Sequence, residues 1–498
     1  MSENVQVGGM QEVFIQLKGK TLKDVERSIA SVESIGGRVT HVFPPGIMVA
    51  SVPSVKVKLL RRRAGVISVE TGTIAKGGLK DLGHELDLAI DAWNNHIGAE
   101  RRTRAIESPL LDKSWDTNKF LPPDPPAEVM AELRRRDAEL APAQAKGPAG
   151  APNMNIPVLV GRVAVGIVFV DSTIAQYKIT DAEKSKIISE TTEGLNMLSS
   201  FEPNANIQWV YDFKRPKINL QSGSFPAANQ NGWEDTWRNA AVAAMGYSAD
   251  INGMNSYINS IKVANNAQWA YALFVTKYPK VWFAYYWGNH VVMDFAVDGW
   301  GIDNFNLVVA HETGHVFGCG DEYAASGCTC TSLHGRYQVK NGNCENCAPV
   351  SIPCLMKSNS QAVCDYTRGQ LGWNELAIKS RGATTFKGTW TFDLDSGVQG
   401  PASGADLWWE QVNTVTRYLV PQSGAMLANL GAVNFDALSR QTLMTKAYTA
   451  TPINGSNNAS NKLTPGTVIA IKTNAGRYAK MRIDTYGYNL GITWVTYK

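Results

Sequence analysis

Eleven residues, His311 to Asp321, constrain the fold and chemistry of this chain more than any other stretch. His311 and His315 are four apart, and residues four apart on an α-helix share one face, so a helix here aims both imidazoles at one point. Phe305 to Ala310 is an apolar lead-in to such a helix, and Asp303 is placed to cap its start. Gly318 comes just after the last periodic position, where a glycine can turn left-handed, fold the chain sharply back and bring Asp321 towards the histidines. Two imidazoles and a carboxylate are zinc ligands at roughly 2.0–2.1 Å, and three protein ligands leave the fourth position open for water. Glu312 follows the first histidine directly and falls beside that water as a general base, not on the metal. The competing account is a buried helix with two hydrogen-bonded histidines, but seven histidines in 498 residues rarely fall into this spacing by chance.

The pattern H-E-x-x-H-x-x-G-x-x-D resembles the extended motif of the metzincin clan of zinc endopeptidases, in its aspartate variant. The resemblance covers about residues 156 to 378 and implies an α/β zinc protease domain acting on protein or peptide. It implies that His311, His315 and Asp321 hold one Zn2+, that Glu312 serves as base and then acid, and that Met356 forms a methionine turn beneath the ion. Ser358 stands where some members carry a tyrosine ligand, so that ligand is not expected. Glu322 adjoins Asp321 and competes with it for the third position.

Upstream, Val13 to Leu17 reads as a strand, Leu22 to Ile35 as an amphipathic helix, and Arg38 to Phe43, Ile47 to Val52 and Val66 to Glu70 as strands, with Val55 to Arg63 helical. Strand, helix, strand, strand, helix, strand is the ferredoxin-like α+β order. With the stretch Gly36 to Pro53, this module of residues 1–75 resembles the inhibitory prodomains found ahead of many secreted proteases, and a generic adaptor is the alternative. Residues 76–155 hold a helix over Leu86 to Ile97, the run Pro122 to Pro126, a charged helix over Ala127 to Leu140 and an Ala/Pro/Gly stretch, which together read as linker or prosegment. No cysteine precedes the motif, so a thiolate cannot cap the zinc from the N-terminal side, and any latency must use another ligand or plain obstruction.

The protease domain is expected over 156–380, with strands at Val163 to Val170, Ile207 to Phe213, Trp269 to Val275 and Val281 to Trp287, a helix at Asp181 to Ser200, and Tyr366 to Trp373 closing it. His290 lies outside any ligand spacing and reads as structural, while Tyr285, Tyr286 and Trp287 suit packing or a cleft wall. Residues 385–498 read as all-β, and their aromatics, among them Trp390, Trp408, Trp409, Tyr418, Tyr478, Tyr486, Tyr488, Trp494 and Tyr497, suit a core or a platform for glycan or another protein. The expectation is a multidomain α/β protein with an all-β C-terminal domain.

All seven cysteines fall between 319 and 364. Cys328, Cys330, Cys344 and Cys347 suit a second, structural zinc or disulfides, Cys354 and Cys364 can close a loop around Met356, and Cys319 is the odd thiol; disulfides are favoured. A net charge of +4 with 18% charged residues demands no nucleic acid, and no apolar run reaches the roughly 20 residues of a membrane anchor. Met1 to Met10 lacks the apolar core of a secretory signal. The cysteine cluster therefore favours an extracellular protein exported without a classical signal over a cytoplasmic one. An adhesion or glycan-binding protein with a structural zinc site is the functional alternative, and a zinc hydrolase of a non-peptide bond is a third.

Overall fold

The computed structural model describes residues 9–75, 84–97, 109–117, 119–125, 128–129, 153–221, 230–280, 282–348, 351–401, 403–435 and 438–498. The charged helix expected over Ala127 to Leu140 and the Ala/Pro/Gly run after it lie almost wholly outside the described residues. The chain is a multidomain α/β protein that divides into two units, Met1–Gly372 and Trp373–Lys498. No described helix is long and apolar enough to cross a membrane.

The first unit is organised by one nine-stranded sheet. It begins with β1 Met10–Leu17, α1 Leu22–Glu33, β2 Arg38–Phe43, β3 Ile47–Pro53, the single turn α2 Val57–Leu60 and β4 Val66–Glu70. Thr21 and Asp24 form a reciprocal capping box on α1, whose buried Val25, Ile29 and Val32 recur at helical spacing. After α3 His84–Ile97 come β5 Arg162–Val170, α4 Asp181–Ser200, β6 Gln208–Lys214, α5 Gln230–Ala244, α6 Ile251–Ala264, β7 Trp269–Thr276, β8 Ala284–Trp287, β9 His290–Met293 and α7 Phe305–Val316. The strand order is β4-β1-β3-β2-β6-β5-β7-β9-β8.

The N-terminal strands therefore do not form a sheet of their own. β2 runs parallel to β6, with His41 opposite Trp209 and Val42 opposite Val210. Val210 joins the core of the N-terminal strands, the ring of His41 lies 2.9 Å from the Tyr211 hydroxyl, and Arg162 pairs with Glu26 at 2.5 Å. The far edge of the sheet is β8, antiparallel to β9 and packed against α7. α7 also packs on α4 and α4 on α3, so the helix carrying His311 is braced from behind.

Two local expectations differ. Asp303 does not cap α7: Asn304 is the N-cap residue and makes no side-chain cap, while Asp303 takes the Lys186 ammonium at 2.6 Å. Between β6 and β7 stand α5 and α6, which the sequence reading leaves unassigned.

The second unit is strand-rich, with two five-stranded sheets around a core that includes Phe392, Trp409, Ile469, Met481 and Trp494. Most of its aromatics are explained by packing. Tyr497 is also buried, whereas Trp390 and Tyr488 are 42% and 57% exposed.

Candidate metal centre

α7 carries His311 and His315 on one face and stops at a Schellman turn: the Cys319 N–H donates to Gly314 O at 3.0 Å and the Gly318 N–H to His315 O at 2.9 Å. Gly318 takes φ +84°, a left-handed conformation that a side chain resists, and a Cβ there would stand 2.7 Å from Ile156 Cγ2. The turn sends Asp321 back to the histidines.

Nδ1 of His311 lies 3.1 Å from Leu355 O, and Nδ1 of His315 lies 2.8 Å from Cys319 O. In the neutral imidazole those carbonyls accept from Nδ1–H, which leaves each Nε2 as a lone pair facing the same point. The two Nε2 atoms are 3.1 Å apart. Asp321 Oδ1 is 3.2 Å from the first and 3.1 Å from the second. A fourth donor, absent from the sequence reading, completes the group: Asp124 Oδ2 lies 3.3 Å from His311 Nε2 and 2.9 Å from His315 Nε2. A tetrahedral ion bound at about 2.05 Å requires ligand atoms about 3.3 Å apart. The observed separations, 2.9 to 3.3 Å, fit that figure, so these residues can hold one tetrahedral metal ion.

The electrostatics make the same demand. Burial works against charge on His311, yet its bonds to Asp124 and Asp321 outweigh it and lift its pKa to about 9. His315 is raised well above its ordinary value for the same reason, burial again opposing and Asp124 and Asp321 prevailing. Burial alone would raise Asp124 as well, but His315 and His311 hold it below the carboxylate range. The two carboxylates thus favour positive charge, from protons or from a cation, where these four side chains meet.

Glu312 is fully buried next to the cluster, and neither of its carboxylate oxygens has a hydrogen-bond partner among the described residues. Burial first, and then Asp124, pushes its pKa well above the ordinary value. Burial thus makes the Glu312 carboxylate a stronger base than an exposed one. Met356 is buried under the helix, its sulfur 2.8 Å from where a Cβ on Gly314 would stand.

Glu322 turns away from Asp321. It accepts from Cys364 Sγ and Thr367 Oγ1, each at 2.9 Å, and from Asn343 Nδ2 at 2.7 Å. These contacts also account for the cysteines. Cys328 bonds to Cys344 and Cys330 to Cys347, so the thiols considered for a second zinc are consumed in disulfides. The expected bridge between Cys354 and Cys364 is not formed, and with Cys319 there are three free thiols rather than one. Each of the pair has a polar partner instead: Cys364 donates to Glu322, and Cys354 Sγ receives the Cys364 N–H at 3.4 Å and lies 3.3 Å from Thr367 Oγ1.

His290 is buried on β9, 2.8 Å from Glu234 Oε1, with Tyr285 donating to Glu234 Oε2 at 2.6 Å and Arg238 bonded to the same carboxylate. That network fixes the edge strands rather than a metal. Tyr286 and Trp287 are half-buried.

No protein-family model, curated protein or solved structure matches this chain.

Proposed function

We propose that this chain is a zinc-dependent endopeptidase of metzincin type, carrying a ferredoxin-like module in front of its catalytic α/β domain. One observation carries the reading: His311, His315 and Asp321 converge at tetrahedral spacing beside a buried Glu312 carboxyl with no hydrogen-bond partner among the described residues. Mixed imidazole and carboxylate donors in a tetrahedron suit zinc better than the hard, oxygen-seeking cations. His311, His315 and Asp321 would hold it, and when bound it supplies a Lewis acid that polarises a carbonyl and acidifies water.

This chain's own residues do the rest. Glu312 takes the proton of the attacking water on a carboxylate oxygen and returns it to the departing amine. Leu355 O and Cys319 O keep the histidines in the right tautomer. A purely structural zinc site would have no use for an unpartnered buried glutamate, which favours an enzyme over an adhesion protein. The disulfides Cys328–Cys344 and Cys330–Cys347 support an oxidising, extracellular setting.

The test pairs metal content with hydrolysis of denatured casein. Since the Asp124 carboxylate stands among the ligands, hydrolysis is followed in the full chain carrying Asp124→Ala. One equivalent of zinc, loss of hydrolysis on chelation, and a ~10²–10⁴-fold lower rate with Glu312→Gln at unchanged zinc content are expected. Failure to take up zinc, or equal turnover with Glu312→Gln, refutes the reading.

A further inference from the structure

The segment Leu121–Pro125 is bound as a guest peptide would be. The Leu121 N–H donates to Asp298 Oδ2 at 2.8 Å, and Leu121 O accepts from Trp300 Nε1 at 2.8 Å. Pro122 O accepts from Trp282 Nε1 at 2.7 Å, and Pro123 O from the Tyr323 hydroxyl at 2.5 Å. The Asp124 N–H donates to Ala284 O, on the outer edge strand β8, at 3.1 Å. Pro122 and Pro123 have no N–H to satisfy, so every backbone polar group from Leu121 N to Asp124 N is paired with the catalytic unit. Pro123, Asp124 and Pro125 are buried, and Asp124 sits at φ +66°, which delivers its carboxylate to the two histidines.

An edge-strand carbonyl that takes one N–H of a segment, with side-chain donors taking the segment's successive carbonyls, makes a peptide-binding groove. Here the groove ends at the metal ligands. We propose that Leu121–Pro125 is a tethered occupant of the substrate groove: Asp124 closes the position left open by His311, His315 and Asp321, and Trp282, Trp300, Tyr323 and Ala284 are the groups that hold the backbone of an extended peptide substrate once the segment leaves. This deepens the endopeptidase reading and rests on it. The strands of the N-terminal module stand at the opposite end of the sheet from β8, so on this proposal the blocking group comes from the short segment and not from those strands. The short segment does the blocking, and because it belongs to the same chain its local concentration is on the order of millimolar.

The test uses the full chain, unaltered and with Asp124→Ala, each loaded with zinc or cobalt. A small hydroxamate, which needs an open metal position, is titrated by calorimetry, and the visible spectrum of the cobalt forms is recorded. Asp124→Ala should bind the hydroxamate about 100-fold or more tightly than the unaltered chain and should shift the cobalt spectrum, as a carboxylate ligand gives way to solvent. In the Asp124→Ala background, Trp282→Phe and Tyr323→Phe should each raise KM for an unfolded peptide about 3–10-fold with little change in kcat, because each removes one backbone hydrogen bond. Equal hydroxamate affinity and equal cobalt spectra with and without Asp124 overturn the proposal. An opened site that hydrolyses no peptide leaves the occupant reading standing and removes the endopeptidase reading, so the two failures are distinct.

Discussion

Replacing Glu234 tests whether the edge strand beside the candidate metal centre is held by a buried charge network. Glu234 is 6% exposed and receives Arg238, His290 and the Tyr285 hydroxyl, so its carboxylate ties α5 to β8 and β9. Burial alone would raise its pKa, but His290 and Arg238 prevail and hold it at about 2 against an ordinary 4.5. That difference corresponds to about 3 kcal/mol of folding free energy, close to the roughly 3–5 kcal/mol typical of breaking one side of a buried pair. The folded-state pKa is depressed, so this stability is present above about pH 4.5 and is lost as pH falls from there towards about 2. For the 372-residue unit, an unfolding entropy of roughly 2.1 cal/mol/K per residue makes about 3 kcal/mol equal to a drop in Tm of about 4 °C. Calorimetry of Glu234→Gln at pH 7 should show that drop, and a pH series should show a flatter acid decline than in the unaltered chain. A Tm within 1 °C of the original, or an unchanged acid slope, would refute the assignment of a net stabilising role to this network.

Other outcomes can be checked in parallel. Asp321→Ala should lose tightly held zinc by mass spectrometry while Glu322→Gln keeps it, because Glu322 faces Cys364, Thr367 and Asn343; the reverse result reassigns the third ligand. Gly318→Ala should cost about 1–3 kcal/mol by denaturant titration and weaken metal retention, since φ +84° and Ile156 Cγ2 both oppose a Cβ. Thiol counting under denaturing, non-reducing conditions should find three free thiols, and a count of one would mean that Cys354 and Cys364 are bridged after all. Cys328→Ser with Cys344→Ser should lower stability by about 3 kcal/mol, as expected for opening a loop of 16 residues.

The candidate metal ligands on and just after α7 were readable because they are local. Helical spacing places His311 and His315 together, and a single glycine conformation returns Asp321, all within eleven residues. Asp124 was not readable in that way, being 187 residues from His311 with no spacing rule to connect them. Its one sequence signal is a lone carboxylate set among prolines, which stiffen an extended backbone and remove its donors. The helix α6 did carry a legible pattern in Met254, Tyr257, Ile258 and Ile261. The strands around residues 10–70 were visible in their alternation, but not their union with the sheet of β5 to β9, since a parallel pairing of His41 and Val42 with Trp209 and Val210 leaves no local trace. Cys354 and Cys364 are close enough to suggest a bridge, and only their surroundings show that Glu322 and Thr367 satisfy the thiols separately.

That shared sheet bears on how the chain can be cut and made. Without residues 10–70, β6 would become an exposed edge, with a row of unpaired amides beside buried Trp209, Val210 and Tyr211. Such an edge recruits other chains, so a fragment starting near residue 156 should aggregate rather than emerge as a liberated enzyme. Made before β6, the strands β2 and β3 can form by hairpin-like local pairing and then offer β2 as a template for β6, sparing the slow parallel sheet an open flank while it assembles. The module in front is thereby a built-in guard against self-association, and it should remain attached when the chain is nicked in the connection after α3.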